Sequence, residues 1–432
     1  MLLLLGIAII ILQPRWILYV VFFVASIANI YVMIQSKSGI IFERFFPIYF
    51  VGPIIFAGYF MKVLAFKENL FIRREINMPL ILFVLWATLS VLWSQNPPHG
   101  YYQSIRLIML FLILFVIANS FNDRKVFLKA LWFIFFLGVV ISTLNIISLL
   151  VDPYKKIYNI ADSFYMVLAF SDRGKRATGI GPPALSSVYL TLSIFLSIAL
   201  AALMKGRMRW FTWIGILFMM YGQFITRTRT GMIALWFGVI LVIYVLFKRH
   251  AFIRMVFLWT LAFVLVFILS IAHDYERGLK RFSTALDVQK KGSLAIRLDL
   301  WKKGFDKLIN SYGIGAGIGG YHKYTDKWPH SHNIHLSVLF DLGIIGFAFW
   351  LWLIIGLYKL FNAEISKETR HYSDKIALLA LSGGFVGVAL HGMLDFEYIL
   401  EGLWVYMGIT MAFFNILYRE ENKEAYQKHD IF

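Results

Sequence analysis

Apolar runs of about 17–25 residues, the length that carries a helix across the hydrocarbon of a bilayer, recur along the whole chain with short polar or basic stretches between them. They fall near 16–34, 40–66, 77–94, 102–121, 127–151, 183–204, 208–225, 230–247, 252–272, 335–361, 375–394 and 398–417. The pattern predicts an all-α polytopic membrane protein with about twelve transmembrane helices. Gly52-Pro53 interrupts the second run, so the count at the N-terminus is open by one crossing. Leu2–Leu12 is shorter than a full crossing and lacks a basic flank and a small-residue cleavage site, so it reads as a tilted first helix rather than a signal peptide.

Composition strengthens this picture. Of 432 residues 60% are hydrophobic, 18% aromatic and only 15% charged, more apolar surface than a soluble core can hide. Cysteine is absent, which excludes disulfides and thiolate metal sites and leaves the redox compartment open.

The net charge of +18 is unevenly spread. Lys67/Arg73/Arg74, Arg124/Lys125, Lys205/Arg207/Arg209, Lys248/Arg249/Arg254, Lys367/Arg370/Lys375 and the tail from Arg419 fall on one side by span parity, the cytoplasmic side by the positive-inside rule. The turns Ser94–Gly100 and Asp395–Gly402, on the other side, carry no Lys or Arg. Parity also puts 152–182, 226–231 and 273–334 outside, although all three are basic. Long loops translocate regardless of charge, but the tight turn Thr226-Arg227-Thr228-Arg229-Thr230-Gly231 is not covered by that, and it suggests a bound anion. Three regions follow: N-terminal membrane helices over 1–272, a long outward loop over 273–334 with an amphipathic helix and a Gly-rich segment, and C-terminal membrane helices with a cytoplasmic tail over 335–432.

Within the long loop, Ser293 can cap a helix whose Leu294, Leu298, Trp301, Phe305 and Leu308 share one face. Arg297 borders that face, and Lys302, Lys303 and Lys307 lie toward the polar side. Such a helix lies on the membrane surface with snorkelling lysines or roofs a cavity. Next, Gly315, Gly317 and Gly320 match G-x-G-x-x-G by count, but a helix precedes them and no helix follows, so a dinucleotide site is rejected. These glycines permit tight turns and close backbone approach.

Then comes Trp328-Pro329-His330-Ser331-His332-Asn333-Ile334-His335, where imidazoles meet the start of a span. No Asp or Glu lies in the motif to complete a metal site. Two readings of His332-Asn333 stay open: a helix N-cap, or a general base at the membrane surface.

Arginines gather near the same outward level. Arg173 and Arg176 precede a span, Arg227 and Arg229 lie in the tight turn, Arg297 lies in the loop helix, and Arg106 sits about one and a half turns into a span, where an unpaired guanidinium is costly. Guanidinium suits bidentate contact with phosphate oxygens, so a lipid diphosphate fits these positions; snorkelling for Arg106 and ordinary anionic headgroups for the rest are the alternatives.

The chain resembles the O-antigen ligase/polymerase superfamily of bacterial envelope glycosyltransferases over most of its length. Four pieces carry the resemblance: Arg176-Ala177-Thr178-Gly179 before a span, Thr226–Gly231 opening a helix, Arg297-Leu298-Asp299-Leu300-Trp301 leading to Gly313–Gly320, and His332-Asn333 followed by nine residues and Gly343-Ile344-Ile345-Gly346. The resemblance implies a GT-C-type membrane fold and a glycan donor carried on undecaprenyl diphosphate. It also implies a periplasmic active site at the bacterial inner membrane and inverting transfer without metal or other cofactor. Carried over residue by residue, it makes His332 the base and Asn333 its neighbour, with Arg176, Arg229 and Arg297 on the diphosphate and Arg227, Arg173 and Arg106 as secondary contacts. His330 is a second imidazole competing for the base role, and Gly179-Ile180-Gly181-Pro182-Pro183 departs from the Asn-containing stretch of relatives. The spacing after His332-Asn333 favours a ligase acting on a lipid A core sugar; a polymerase extending a lipid-linked glycan is the alternative. Membrane lipids are expected partners and nucleic acid is not. A non-enzymatic anionic-lipid transporter is less favoured, because the charges crowd one end and no internal repeat is visible.

Overall fold

The computed structural model describes residues 31–36, 39–44, 74–121, 123–150, 156–161, 164–168, 183–246, 249–272, 293–321, 331–395 and 398–429. Helices dominate: α1 (Arg74–Leu89) with a 3-10 turn at Ser90–Trp93, α2 (Pro97–Ser120), α3 (Arg124–Leu150), α4 (Pro183–Leu203), α5 (Gly206–Phe224), α6 (Arg229–Leu246) and α7 (Arg249–Ala272), then α8 (Ser293–Asn310), α9 (Ile334–Ser366), α10 (Tyr372–Gly392) and α11 (Glu401–His429). Among the described residues, six helices are long and apolar enough to cross a membrane: Ile76–Trp93, Pro97–Ser120, Arg124–Ser148, Pro183–Leu203, Ile334–Ser366 and Tyr372–Gly392. Arg229–Val245 and Ile253–Ile268 are shorter apolar helices. Prolines at the first positions of α2 and α4 start those helices where a backbone N–H has no partner to lose.

The expectation of a helical polytopic protein holds for the bundle, with one correction to the N-terminal spans. Tyr31–Ser36 (β1) and Gly39–Arg44 (β2), expected to end one span and begin the next, pair as antiparallel strands. Their Gln35–Gly39 junction is too polar to stay in hydrocarbon, and Val32, Ile34, Ile40 and Ile41 are β-branched. β1 also pairs antiparallel with Phe164–Leu168 (β4), which pairs with Lys156–Ala161 (β3), making a four-stranded sheet of order β2-β1-β4-β3.

The helix α4 runs through the middle of the bundle and is buried along nearly all its length. Small residues set the contacts around it, as expected where helices pack without water to drive them together. A Cβ on Gly238 of α6 would lie 2.4 Å from the Phe195 ring of α4 and 2.7 Å from the Gly383 carbonyl of α10. α2 and α11 run parallel, joined by Arg106 to Glu401 at the start of α11 and by Asn415 Nδ2, midway along α11, donating to the Ala118 carbonyl near the end of α2 at 2.9 Å.

The bundle's two ends differ in charge chemistry. At one end the Arg124 guanidinium donates to Asp374 at 2.6 Å and to Glu420 at 2.6 Å, while Lys367 and Arg370 engage Glu364 and Glu421. Helices α3, α9, α10 and α11 are thereby clasped where two of the expected cytoplasmic basic clusters meet. The site residues described below lie at the other end.

The helix α9 is broken at Gly343, whose φ of 69° and ψ of −169° belong to glycine almost alone. The break is a reversal rather than a bend. Trp350 Nε1 donates to His335 Nδ1 at 3.1 Å, although a straight helix would hold positions so spaced about 22 Å apart. Residues 334–342 therefore fold back along 344–350. The Gly-rich loop fills the break: Ile344 N donates to the Gly313 carbonyl at 2.9 Å and Ala316 N to the Phe340 carbonyl at 2.9 Å. The same loop reaches the outer end of α1, where Ile318 N donates to Ser90 Oγ at 2.9 Å and Ser94 Oγ donates to the Ile318 carbonyl at 3.0 Å.

The loop helix α8 differs from the single apolar face expected of it. It packs inward through Leu300, Trp301 and Gly304, with the Phe340 ring where a Gly304 Cβ would be, and Tyr321 donates its hydroxyl to the Leu300 carbonyl at 2.5 Å. Leu298 and Phe305 stay exposed on a second side. The expected face is split because α9 doubles back and offers a surface to only part of it.

Gly343→Ala should lower stability by about 1–3 kcal/mol, since a Cβ there would meet the Gly313 and Ile314 carbonyl oxygens at 2.3 Å in addition to the forbidden φ. Thermal unfolding in detergent, compared with Ile345→Ala at an exposed neighbouring position, measures this; equal melting temperatures would contradict the reversal.

Candidate functional site

Four separate stretches meet at the end of the bundle opposite the acidic and basic clasp. The first is the turn between α5 and α6. Gln223 Nε2 donates to Thr191 Oγ1 at 2.9 Å and to the Gly231 carbonyl at 2.8 Å, and Thr226 Oγ1 donates to the Gln223 carbonyl at 2.7 Å. This framework drives Arg227 into the left-handed region with φ 53° and buries it, and it makes Arg229 the first residue of α6. Gly231 ends the motif for a steric reason: a Cβ would lie 1.9 Å from Ser187 Oγ and 3.1 Å from His391 Cε1.

The second stretch is the start of α8, which carries Arg297. Burial pushes this guanidinium below its ordinary value, and Asp395 acts in the opposite direction. The positive charge of Arg297 also reaches Arg229, so the two arginines repel across the site.

The third is Ser331–Asn333. Asn333 caps α9, its Oδ1 accepting from His335 N and Leu336 N at 3.0 Å each, as one of the two open readings expected. Ser331 is held by Trp301 of α8, whose Nε1 donates to its carbonyl at 2.9 Å, and by a 2.8 Å hydrogen bond between its hydroxyl and that of Ser337. Between these fixed neighbours His332 takes φ 53°, an unusual backbone state for its residue type. The cap and the imidazole thus belong to adjacent residues, and the two readings are compatible.

The fourth is the turn after α10. Asp395 Oδ1 lies 3.4 Å from His332 Nδ1, with both side chains partly exposed. Four residues earlier, His391 is fully buried against Gly231. A carboxylate at Nδ1 orients an imidazole and leaves Nε2 for a substrate proton.

These groups lie below the rim of the bundle. His335 is level with Trp350, about 10 Å of helix below Gly343. Chemically the arrangement offers a carboxylate-oriented imidazole beside mutually repelling guanidiniums, which favours an anion carrying more than one charge. Among the described residues no group of three or more His, Cys, Asp or Glu is placed to hold a metal ion.

Residues 214–351 match the family model described as O-Antigen ligase. That segment, about a third of the chain, is similar to the O-antigen ligase family. The matched stretch contains the Thr226–Gly231 turn, Arg297, the Gly-rich loop, His332-Asn333 and the Gly343–Gly346 break, and so coincides with most of the site. No curated protein matches the chain. One solved structure, described as "Structural coordination of polymerization and crosslinking by a peptidoglycan synthase complex", is similar with a TM-score of 0.45 at 16% identity, covering 80% of this chain and 98% of that one, too loose a likeness to carry an inference.

Of the residues singled out from the sequence, His332, Asn333, Arg229 and Arg297 come together here, with Arg227 buried in the same turn. Arg173, Arg176 and His330 lie outside the described residues. Arg106 has a different setting. Its guanidinium is buried and donates through Nε to Glu401 at 2.9 Å and through Nη2 to the same carboxylate. The pair accounts for an arginine inside a span without a ligand, and Glu401 also favours the N-terminus of α11. Asp395 and His391 are the site residues missed from sequence. A carboxylate in a short outward turn free of Lys and Arg was the available signal for Asp395; nothing in the local sequence marks His391.

Removing one member of the Arg106–Glu401 pair leaves a buried charge, so Arg106→Met or Glu401→Leu alone should cost about 3–5 kcal/mol and the double variant much less. Unfolding of the four proteins in detergent completes the cycle. Additive losses would show that the two side chains are not coupled.

Proposed function

We propose that this protein is a glycosyltransferase that moves a glycan from undecaprenyl diphosphate to an acceptor sugar hydroxyl, the lipid A core in a ligase. In this reading the protein has about twelve crossings in a GT-C-type arrangement and works at the periplasmic face of a bacterial inner membrane. The observation that carries the reading is the contact of His332 Nδ1 with Asp395 beside Arg297 and Arg229. The match to the model described as O-Antigen ligase spans Arg229, Arg297 and His332 and supports a transfer of the ligase/polymerase kind; the spacing after His332-Asn333 favours the ligase.

In the proposed step His332 Nε2 takes the proton of the acceptor hydroxyl as its oxygen bonds to the anomeric carbon. The bond from that carbon to the phosphate oxygen breaks, and one displacement inverts the centre. Undecaprenyl diphosphate leaves with the electron pair, its charge spread over Arg229 and Arg297, with Arg227 nearby and Arg176 and Arg173 as further contacts implied by the resemblance. General-base help of this kind is worth roughly 10²–10⁴-fold, and well-aimed donors on the leaving group remove about 3 kcal/mol each. His330 is the competing base.

Purified protein in lipid nanodiscs, given lipid-linked glycan and acceptor, tests the assignment. His332→Ala should lose roughly 10²–10⁴-fold in turnover while donor binding persists; a near-normal rate would reject His332 as base, and retained activity there with loss in His330→Ala would move the role to His330. Asp395→Asn should lower turnover more than it weakens donor binding. Donor supplied alone should remain unchanged for a ligase, whereas lengthening of the lipid-linked glycan would identify a polymerase.

A further inference from the structure

Helix α8 has three sides, and only two have an evident task. At about 100° per residue, Arg297, Leu300, Trp301, Gly304 and Leu308 form the side turned to α9, and Asp299, Lys303, Asp306, Lys307 and Asn310 form a charged side. The third side carries Leu298, Phe305, Ile309 and then Tyr312, all exposed, with Ile309 at 72% and Tyr312 at 96%. Lys302 is the one charged residue within that stripe, on a stem long enough to snorkel.

Tyr312 is also conformationally costly where it stands. Gly313 N donates to the Leu308 carbonyl at 2.9 Å, closing the helix in the manner that normally places Gly or Asn in the left-handed position, and here Tyr312 occupies it with φ 52°. An aromatic side chain held out from the surface at a strained position gains nothing from the protein's own packing. Strain of this kind points to a task outside the fold.

The stripe meets the exposed apolar residues of a helix long and apolar enough to cross a membrane. Ile344, exposed, packs its Cδ1 over Gly313 at the top of the spanning part of α9, and Ile345 beside it is exposed as well. Ile314 continues the same surface from the loop side. An exposed apolar stripe that meets the top of a spanning helix where Ile344 lies over Gly313, ends in an exposed tyrosine and carries Lys302 has the chemistry of the headgroup–acyl boundary.

We propose that Leu298, Phe305, Ile309, Tyr312, Ile314 and Ile344 form a lipid-docking surface that sits in the outer headgroup–acyl boundary and holds α8 there. The consequence reaches the site through covalent neighbours: Arg297 lies beside Leu298, and Trp301 holds Ser331 next to His332. Lipid contact on one side of α8 thus fixes the depth of the arginine on the other.

The absence of cysteine makes each introduced one a unique label site. Spin labels on Ile309→Cys, Tyr312→Cys and Lys303→Cys, in the full chain reconstituted into phosphatidylethanolamine–phosphatidylglycerol vesicles, report collisions with oxygen and with a water-soluble nickel chelate. The first two labels should collide more with oxygen and the Lys303 label more with nickel. Nickel-dominated collisions at all three positions would overturn the proposal. So would spin–spin broadening at positions 309 and 312 that vanishes on dilution with unlabelled protein, which would assign the stripe to a second copy of the chain. Tyr312→Gly separates docking from folding, because glycine suits the backbone there. In detergent it should melt no earlier than the parent, while the label at 309 shifts toward nickel; an unshifted label would remove Tyr312 from the surface.

Discussion

Backbone meets backbone at Gly343, and most of the outward end of the molecule depends on that contact. With no Cβ at Gly343, the Gly313 and Ile314 carbonyls approach to distances any side chain would forbid, and α9 turns back on itself. The reversal carries Ile334 and His335 down beside Trp350, lowers His332 below the rim, and gives α8 a surface to pack on through Phe340. The nine residues between Asn333 and Gly343 then have a physical meaning. They are the length of the returning segment, and they set how deep the imidazole lies.

Charge is handled in two ways within the bundle. Arg124, Lys367 and Arg370 are met by Asp374, Glu364, Glu420 and Glu421, and Arg106 is met by Glu401, so these cations lock helices together. Around His332 the balance is tipped the other way: Arg297 and Arg229 repel each other, and Asp395 serves both Arg297 and the imidazole. Preorganised charge of this sort costs the folded protein some stability and is available for a transition state that sheds a multiply charged group. Lipid docking along the far side of α8 would supply part of the restraint that keeps Arg297 in this arrangement.

The glycines of the site act in two ways that sequence inspection treats alike. Gly343 is required by its dihedral angles, whereas Gly231 has ordinary helical geometry and is required because Ser187 and His391 occupy the space of a Cβ. The second kind couples the arginine-bearing turn to α4 and α10. It links Arg229 to the helix that leads into the turn at Asp395, although the two residues are far apart in the chain.

Much of the fold is legible in the sequence. Apolar runs of about the length that crosses a bilayer have only one stable conformation in lipid, so α1 to α7 and α9 to α11 were readable as helices from length and hydropathy. Arg229, Arg297, His332 and Asn333 stood out because guanidinium and imidazole at the ends of such runs are chemically conspicuous. Tertiary structure alone decided what those groups face. That Arg106 would be met by Glu401, that Asp395 would reach His332 and that His391 would lie beneath both depend on which helix ends share a level, which no local pattern records. The β1–β4 pairing, the reversal at Gly343 and the division of α8 into a buried side and an exposed apolar side were undetermined for the same reason: each is set by a surface contributed from elsewhere in the chain, and local hydropathy encodes how much surface is apolar without encoding what will cover it.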